Sequence, residues 1–495
     1  MPSISIVYSS SSCRLRNCVV SVPADQSCAP PLKSSLFCSR FLRKSGLALS
    51  IKRTRRSRTE ALNASPASRV MAASHSFDIV IVGAGIIGLT IARQFLMKSD
   101  LSVAVVDKAV PCSGATGAGQ GYLWMVHKTP GSDTWDLTIR SHKLWTMLAD
   151  SLRDQGLDPQ EVLGWKKTGS LLVGRTPEDS IVLKAKVKQL VEAGLRAEYL
   201  SACELLLKEP ELLVGNDAGA VFLPDDCQLD AHRTVSYIEK ANRQFALEGR
   251  YAEFYHEPVT GLLRSDNTGE VEAVQTSKNI LYSKKAIIVA AGCWTGSLMH
   301  ELLRELDIMV DLPIKPRKGH LLVLENFSSL HLNHGLMEVG YIDCQGVTLD
   351  HNTTASIHDE QKQMLSVAMT ATTDTRGNLL LGSSRQFAGF STEVDESVIL
   401  HIWKRVGEFF PKLREVPLED FIHKRKVRVG LRPYMPDGKP VIGLVPGLSH
   451  VFLATGHEGG GLSLALGTAE MVVDMVMGNP QHVDRSPFSL QHRHS

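Results

Sequence analysis

The chain has 495 residues, 43% hydrophobic and 21% charged, with a formal net charge of +2. That length suits one to three ordinary domains with a sizeable buried core, and the composition excludes a collagen, a coiled-coil rod or wholesale disorder. No apolar run approaches the ~18 residues of a spanning helix. The best, Ile79 to Ala92, is short and carries three glycines, so no transmembrane segment is expected.

The near-neutral charge hides an asymmetry. Residues 1–70 hold 16 Ser, 12 Lys and Arg and only 2 acids, Asp25 and Glu60, which leaves 42 basic against 50 acidic residues in the remainder. A mildly acidic remainder is not expected to bind nucleic acid by bulk charge. A Ser-rich, Arg-rich, acid-poor leader reads as an organelle transit peptide. Because serine dominates, the expected destination is the chloroplast, with the mitochondrion as alternative. Cleavage is expected before Ser76, with residues 1–75 disordered. The basic cluster Lys52 to Arg56 reads alternatively as a nuclear signal or a solvated linker. Of the nine cysteines, Cys13, Cys18, Cys28 and Cys38 fall in the leader. Cys112, Cys203, Cys227, Cys293 and Cys344 form no C-x-x-C, which fits free thiols in a reducing compartment and predicts no metal site.

In chain order, FDIVIV at 77–82 is a short apolar run of the kind found in a buried parallel strand. GAGIIG follows, putting Gly83, Gly85 and Gly88 in G-x-G-x-x-G spacing, then a helix-like LTIARQFLMK, then a second strand-like run ending at Asp107. Each part has a physical role in dinucleotide binding. Gly83 permits the tight turn. Gly85 lets backbone approach a pyrophosphate at the helix N-terminus. Gly88 lets helix and strand pack closely, and the acid meets a ribose hydroxyl. The motif alone does not separate NAD from FAD. The next segment, CSGATGAGQGYL, is rich in small residues and open amides and suits a large cofactor such as FAD better than a second βαβ crossover.

Three further segments complete the pattern: AIIVAAGCWTG (Ala286 to Gly296), LPIKPRKGHLLVLE (Leu312 to Glu325), and GLRPYMPDGKPVIG followed by HVFLATGHEGGGLSLALGTAEMVVDMVMG. Weaker echoes are KKTGSLLVG, CQLDAHRTV, NLLLGSSRQFAGF and the terminal DRSPFSLQHR. In order and spacing, the set resembles the D-amino-acid oxidase-like family of FAD-dependent oxidoreductases over roughly residues 76–490. Within it, the branch of glycine oxidase, sarcosine oxidase and hydroxyproline dehydrogenase is most similar. With the leader, the resemblance points to a plant organellar form. It implies an α/β (α+β) fold: a discontinuous Rossmann-like FAD-binding domain (76–150, 229–300 and 426–480) with an inserted antiparallel-sheet substrate domain (151–228 and 301–425) and a C-terminal tail (481–495).

The resemblance also implies roles. Gly83, Gly85, Ile86, Ile87 and Gly88 would hold the FAD pyrophosphate and Asp107 the adenosine ribose, with Lys108 adding backbone contacts. Ser113, Gly114, Ala118, Gly119 and Gln120 would touch the flavin side, Val259 the adenine, and Gly292 and Trp294 the pocket edge. Gly456, His457, Glu458, Gly459, Gly460, Gly461, Leu462 and Ser463 would cover the flavin pyrimidine, where helix-terminal amides stabilise negative charge on the reduced ring. Arg432, between Leu431 and Pro433, would grip a substrate carboxylate through its planar fork. The competing reading of Arg432 is a structural ion pair, for example with Asp437.

Two departures stand out. A second arginine of the glycine oxidase branch is replaced by Gly459. The strand SVAMTATTD also lacks the family's tyrosine, with Tyr341 lying upstream in an expanded stretch. No cysteine follows Cys344, so a thioether from the C-terminal segment is impossible and non-covalent FAD is expected. The implied activity is oxidation of the C–N bond of a small amine or amino or imino acid, by hydride transfer to flavin N5 with hydrolysis of the imine. Oxygen, a quinone or a partner protein would accept the electrons. The alternative is an FAD-binding assembly factor or scaffold without turnover.

Overall fold

A computed structural model describes residues 73–343 and 365–493. The leader up to residue 72, with its basic cluster, and Cys344 with residues 345–364 of the expanded stretch lie outside the described residues. Two eight-stranded sheets build one compact unit.

The first sheet centres on β1 (Ala73–Val82), flanked by β2 (Val103–Val106) and the long β11 (Asn279–Val289). Beyond them lie β8 (Tyr251–Phe254) on one side and β18 (Val451–Thr455) on the other. These five strands are parallel, and β17 (Val441–Leu444) closes one edge in antiparallel sense. A hairpin of β9 (Val259–Arg264) and β10 (Val271–Thr276) extends from β11. The strands read as continuous apolar runs because both faces are covered. Ile79 and Ile81 of β1 join Val103 and Val105 of β2 and Ala286 and Ile288 of β11 in one buried cluster. The alternate residues Val80 and Val82, Ala104 and Val106, and Ile287 and Val289 join a second cluster on the opposite face.

β1 begins at Ala73, not at residue 77. Ala73 to Phe77 pairs in parallel with Asn279 to Ser283. Cleavage before Ser76 would therefore remove the first three residues of this strand.

The second sheet is ordered β16 (Arg425–Tyr434), β12 (Lys315–Leu324), β15 (Leu379–Gln386), β14 (Leu365–Thr373), β13 (Gly335–Glu338), β4 (Ser170–Gly174), β6 (Gly219–Leu223) and β5 (Glu198–Ser201). It is antiparallel except that β13 and β4 run parallel. The segment from 426, grouped above with the FAD-binding pieces, pairs along β16 with the whole of β12 in the second sheet. A short ribbon of β3 (Tyr122–Leu123) and β7 (Cys227–Gln228) stands apart from both sheets.

The helices α1 (Ile86–Lys98), α2 (Ala115–Ala118) and α3 (Trp135–Asp154), and the C-terminal helix Gly461–Met477, cover the first sheet or border the cleft. The segment Glu458–Met477 is long and apolar enough to cross a membrane. Its apolar residues are accounted for by packing, since Leu464, Ala465, Ala469, Val472 and Val473 are buried in the same cluster as α1 and α3. At its closest approach to α3, a Cβ on Gly467 would lie 2.9 Å from Leu137 Cδ1 and 3.1 Å from the Leu137 carbonyl oxygen. Gly467→Leu is therefore expected to destabilise the protein by about 1–3 kcal/mol through overpacking, read as a lower midpoint in chemical denaturation. An unchanged midpoint would show that the two helices separate freely.

Candidate active site

A cleft of about 390 Å3 opens at the C-terminal ends of β1, β2, β11 and β18, with the second sheet as its far wall. Its volume falls in the range of small-molecule and cofactor sites, and this is where a parallel sheet places ligands. The local sequence explains the geometry. Gly83 has φ +118°, and a Cβ there would lie 2.4 Å from the Ala290 carbonyl oxygen. A Cβ on Gly88 would lie 1.9 Å from the Gly83 carbonyl oxygen. These two glycines let β1, α1 and the end of β11 converge. Gly85 differs, because the nearest atom to a Cβ there is Thr116 Oγ1 at 3.5 Å, so the space above it belongs to the cleft. Gly85 is the N-cap of α1 and supplies no capping side chain. Thr116 Oγ1 accepts from the Ile86 amide at 3.2 Å. The helix start thus offers donors and a positive dipole end to an anion.

Asp107 sits at the end of β2. Its two carboxylate oxygens accept from the Ala84 and Ala109 amides, each at 2.7 Å, and each keeps a further lone pair for a ribose hydroxyl. Lys108 places its ammonium 3.8 Å from the Trp294 ring centroid, so the side chain as well as the backbone contributes to the rim. Ser113 Oγ donates to the Val110 carbonyl oxygen, and Gly114 faces Trp294. Ala118 packs against Gly430 and Gly119 against Leu462. Gln120 points its amide at Thr372 and at the Leu380 carbonyl oxygen, tying this loop to the second sheet. Val259, Gly292 and Trp294 all line the cleft. An FAD fits these residues: an unfilled glycine cradle, an open helix start and a carboxylate stand in the order its pyrophosphate and ribose require.

Of the C-terminal turn, His457, Glu458, Gly459, Gly461 and Leu462 line the cleft, together with Ile86 and Ile87. Gly88, Gly456, Gly460 and Ser463 do not reach it. Gly88 closes the helix–strand contact, and Gly456 takes φ +76° with Met435 in the way of a Cβ. Gly460 accepts a hydrogen bond from Ser463 Oγ. Leu462 is held by its carbonyl oxygen, which accepts from Trp145 Nε1 at 3.0 Å. His457 directs Nε2 to Thr468 Oγ1 at 2.9 Å. Burial lowers its pKa to about 3, so it is a neutral structural group.

At the far wall, Arg432 reaches the cleft from β16. The ladder opposes Gly319 of β12 to Gly430. A Cβ on Gly319 would lie 2.1 Å from Arg432 Nη1, so this glycine makes room for the guanidinium. Arg432 Nη1 donates to the Ser384 carbonyl oxygen at 3.0 Å. Among the described residues no carboxylate pairs with it. Asp437, the candidate structural partner, is bound by Arg493 at 3.1 Å. Burial lowers the Arg432 pKa from its ordinary value, yet a guanidinium stays charged.

Further contacts shape the site. Glu458 is held by Arg317 at 2.8 Å. Tyr341, on the helical turn Gly340–Asp343, is buried and lines the cleft. Its hydroxyl is 2.5 Å from that of Tyr122 on β3 and 3.9 Å from a Cβ built on Gly459. The Arg385 guanidinium carbon stands 4.0 Å from the Tyr341 ring centroid. A tyrosine and a second arginine therefore reach the site by another route than the family pattern. Tyr122 and Arg385 lie inside quoted motifs, but nothing local marks them. Tyr341 lies far from any motif.

The comparisons agree with this geometry. The profile of the FAD dependent oxidoreductase family (DAO) matches residues 78–475. Glycine oxidase of Geobacillus kaustophilus is 24% identical over 419 residues, covering 84% of this chain and 97% of that protein. Hydrogen cyanide synthase subunit HcnC of Pseudomonas protegens is 24% identical over 448 residues, covering 83% and 95%. The crystal structure of L-proline dehydrogenase from P. horikoshii superposes with a TM-score of 0.68 at 18% identity, covering 85% of this chain and 98% of that one. With a matching profile across most of its length and a cleft shaped for the cofactor, the chain belongs to the FAD-dependent oxidoreductase (DAO) family.

Proposed function

We propose that this protein oxidises the C–N bond of a small amino or imino acid. The observation that carries the reading is Arg432, a guanidinium facing the cofactor cleft without a carboxylate partner among the described residues. A charge in that position suits a bound anion, and the planar fork matches a carboxylate. The names of glycine oxidase and L-proline dehydrogenase support substrates of this class.

Bound FAD supplies the two-electron acceptor. The chain supplies position. Arg432 pins the carboxylate and thereby aims Cα into the cleft. Arg317 on β12 holds Glu458, and Trp145 on α3 holds Leu462, so the turn that covers the cleft is braced from the second sheet and from α3. The buried thiols Cys112 and Cys293 both line the cleft, but burial pushes each up to about 12. They are protonated and poor nucleophiles, which supports non-covalent FAD. The scaffold reading drew on the arginine and tyrosine missing from the family pattern. Tyr341 in the cleft, with Arg385 over its ring, favours turnover instead.

The cofactor assignment is tested at Gly85. Gly85→Val projects a side chain into the cradle and not into the protein, so the variant is expected to fold and to lose bound flavin, read from the visible absorption of the purified protein. Full flavin content would refute it.

Arg432→Ala is expected to keep flavin and weaken anaerobic flavin reduction by glycine, sarcosine, D-alanine or L-proline. A hydrogen bond to a charged group is worth about 1.5–3 kcal/mol, or about 10- to 150-fold in kcat/KM. Arg432→Lys should recover little, because an ammonium lacks the two-pronged geometry. Wild-type reduction rates in the alanine variant would remove Arg432 from the site.

We further propose that the Ser- and Arg-rich leader directs the chain to the chloroplast, on its composition alone. Residues 1–75 fused to a fluorescent reporter should enter plastids, and a cytosolic or nuclear signal would refute this.

A further inference from the structure

We propose that Tyr341 is the group that takes the proton from the ammonium of the substrate, with Tyr122 as the hydrogen-bond partner that holds it. The inference rests on the amino-acid reading of the cleft and adds a residue role to it. An amino acid bound by its carboxylate arrives with its nitrogen protonated, and an ammonium has no lone pair to stabilise the developing C=N bond. The proton must leave before or as the Cα hydrogen does, and an acceptor must stand in the cleft.

Tyr341 meets that need by position. Its hydroxyl lines the same cleft as Arg432, beside Gly459, where the absence of a side chain leaves room. Tyr122 lies 2.5 Å away, so one of the two hydroxyls donates and the other accepts. The surroundings decide which. Around the pair stand His127 and Lys128 after β3, Arg385 on β15, Arg432 on β16 and Glu458 before the C-terminal helix. His127 is held neutral, well below its usual pKa, by burial and by the neighbouring cations. Burial by itself would raise the Tyr341 phenol, but the charges of Arg385 and Arg432 and the hydrogen bond from Tyr122 override it and lower its pKa. Tyr122 moves the other way, raised by burial and by the charge on Tyr341. With the Arg385 guanidinium over the Tyr341 ring and Arg432 lining the same cleft, Tyr122 is placed as the donor of their hydrogen bond and Tyr341 as its acceptor.

The step balances. The N–H bond of the ammonium breaks, the phenolate oxygen of Tyr341 forms an O–H bond, and the electron pair stays on nitrogen. A cation and an anion become two neutral groups, so the net charge of the cleft is unchanged. After the imine leaves, Tyr341 returns the proton to water at the open mouth of the cleft.

The test is the pH profile of anaerobic flavin reduction by glycine, sarcosine, D-alanine and L-proline in wild type, Tyr341→Phe and Tyr122→Phe. Near neutral pH, Tyr341→Phe should reduce its flavin about 100-fold more slowly, as for loss of a general base. The deficit should close at alkaline pH, where the free amine binds already deprotonated. Tyr122→Phe should move the acid limb of the profile upward, since the phenolate loses its donor. An ultraviolet difference titration of the flavin-loaded protein gives a readout without turnover. Wild type should form one tyrosinate below the ordinary value of about 10, and Tyr341→Phe should lack it. A loss in Tyr341→Phe that is equal at all pH values, or identical titrations of the two proteins, overturns this assignment and leaves the amino-acid reading intact. No reduction of wild-type flavin by any of the four acids overturns the amino-acid reading and this assignment with it.

Discussion

The backbone contact among Gly83, Gly88 and Ala290 is the constraint on which the cleft depends. Side chains at 83 or 88 would sit 2.4 Å or less from a carbonyl oxygen of the neighbouring element, closer than any real Cβ approaches. Their absence lets the first turn of α1 press against the ends of β1 and β11. The start of that helix then opens into a space at the ends of β1, β2, β11 and β18. Every other part of the cofactor site is hung on this convergence. Asp107 reaches it because β2 is the parallel neighbour of β1. Trp294 reaches it because β11 is the neighbour on the other side.

The far wall is governed by a second pair of glycines. Gly319 and Gly430 oppose each other in the β12–β16 ladder. One yields space to the Arg432 guanidinium and the other to Ala115 and Ala118 of α2. The same ladder step therefore seats the anion-binding group and docks the cofactor loop, which couples the two sheets. A single ladder joins the wall that carries Arg432 to the loop that carries Ala115 and Ala118, and Gln120 reinforces it by bonding to β14 and β15.

The site also shows how one chemistry is assembled from different elements. The family pattern places an arginine after the histidine of the C-terminal turn, where this chain has Gly459. Tyr341, from a helical turn in an expanded stretch, brings its hydroxyl to that vacancy, and Arg385 from β15 stands over its ring. Two guanidiniums beside one phenol make a different electrostatic environment from two guanidiniums beside each other. The phenol is driven toward its anion.

The sequence by itself determined the strand, glycine turn, helix and acid between 77 and 107, the small-residue loop that follows, and Arg432 as the candidate anchor. These were legible because each depends on residues a few positions apart: a continuous apolar run, glycines at fixed spacing, a cation between apolar neighbours. It also indicated the two-part architecture, through resemblance. Tertiary structure alone decided that β1 starts at Ala73, since Ala73 to Ser76 are exposed and gain strand geometry only by pairing with Asn279 to Tyr282. It decided that β16 belongs to the second sheet, because an alternating strand pattern does not name its partner a hundred residues away. And it decided that Tyr122, Tyr341 and Arg385 meet at Arg432. Their sequence neighbourhoods carry no mark of it, because a phenol or a guanidinium acquires its role from the charges packed around it, and those come from four separate strands and turns.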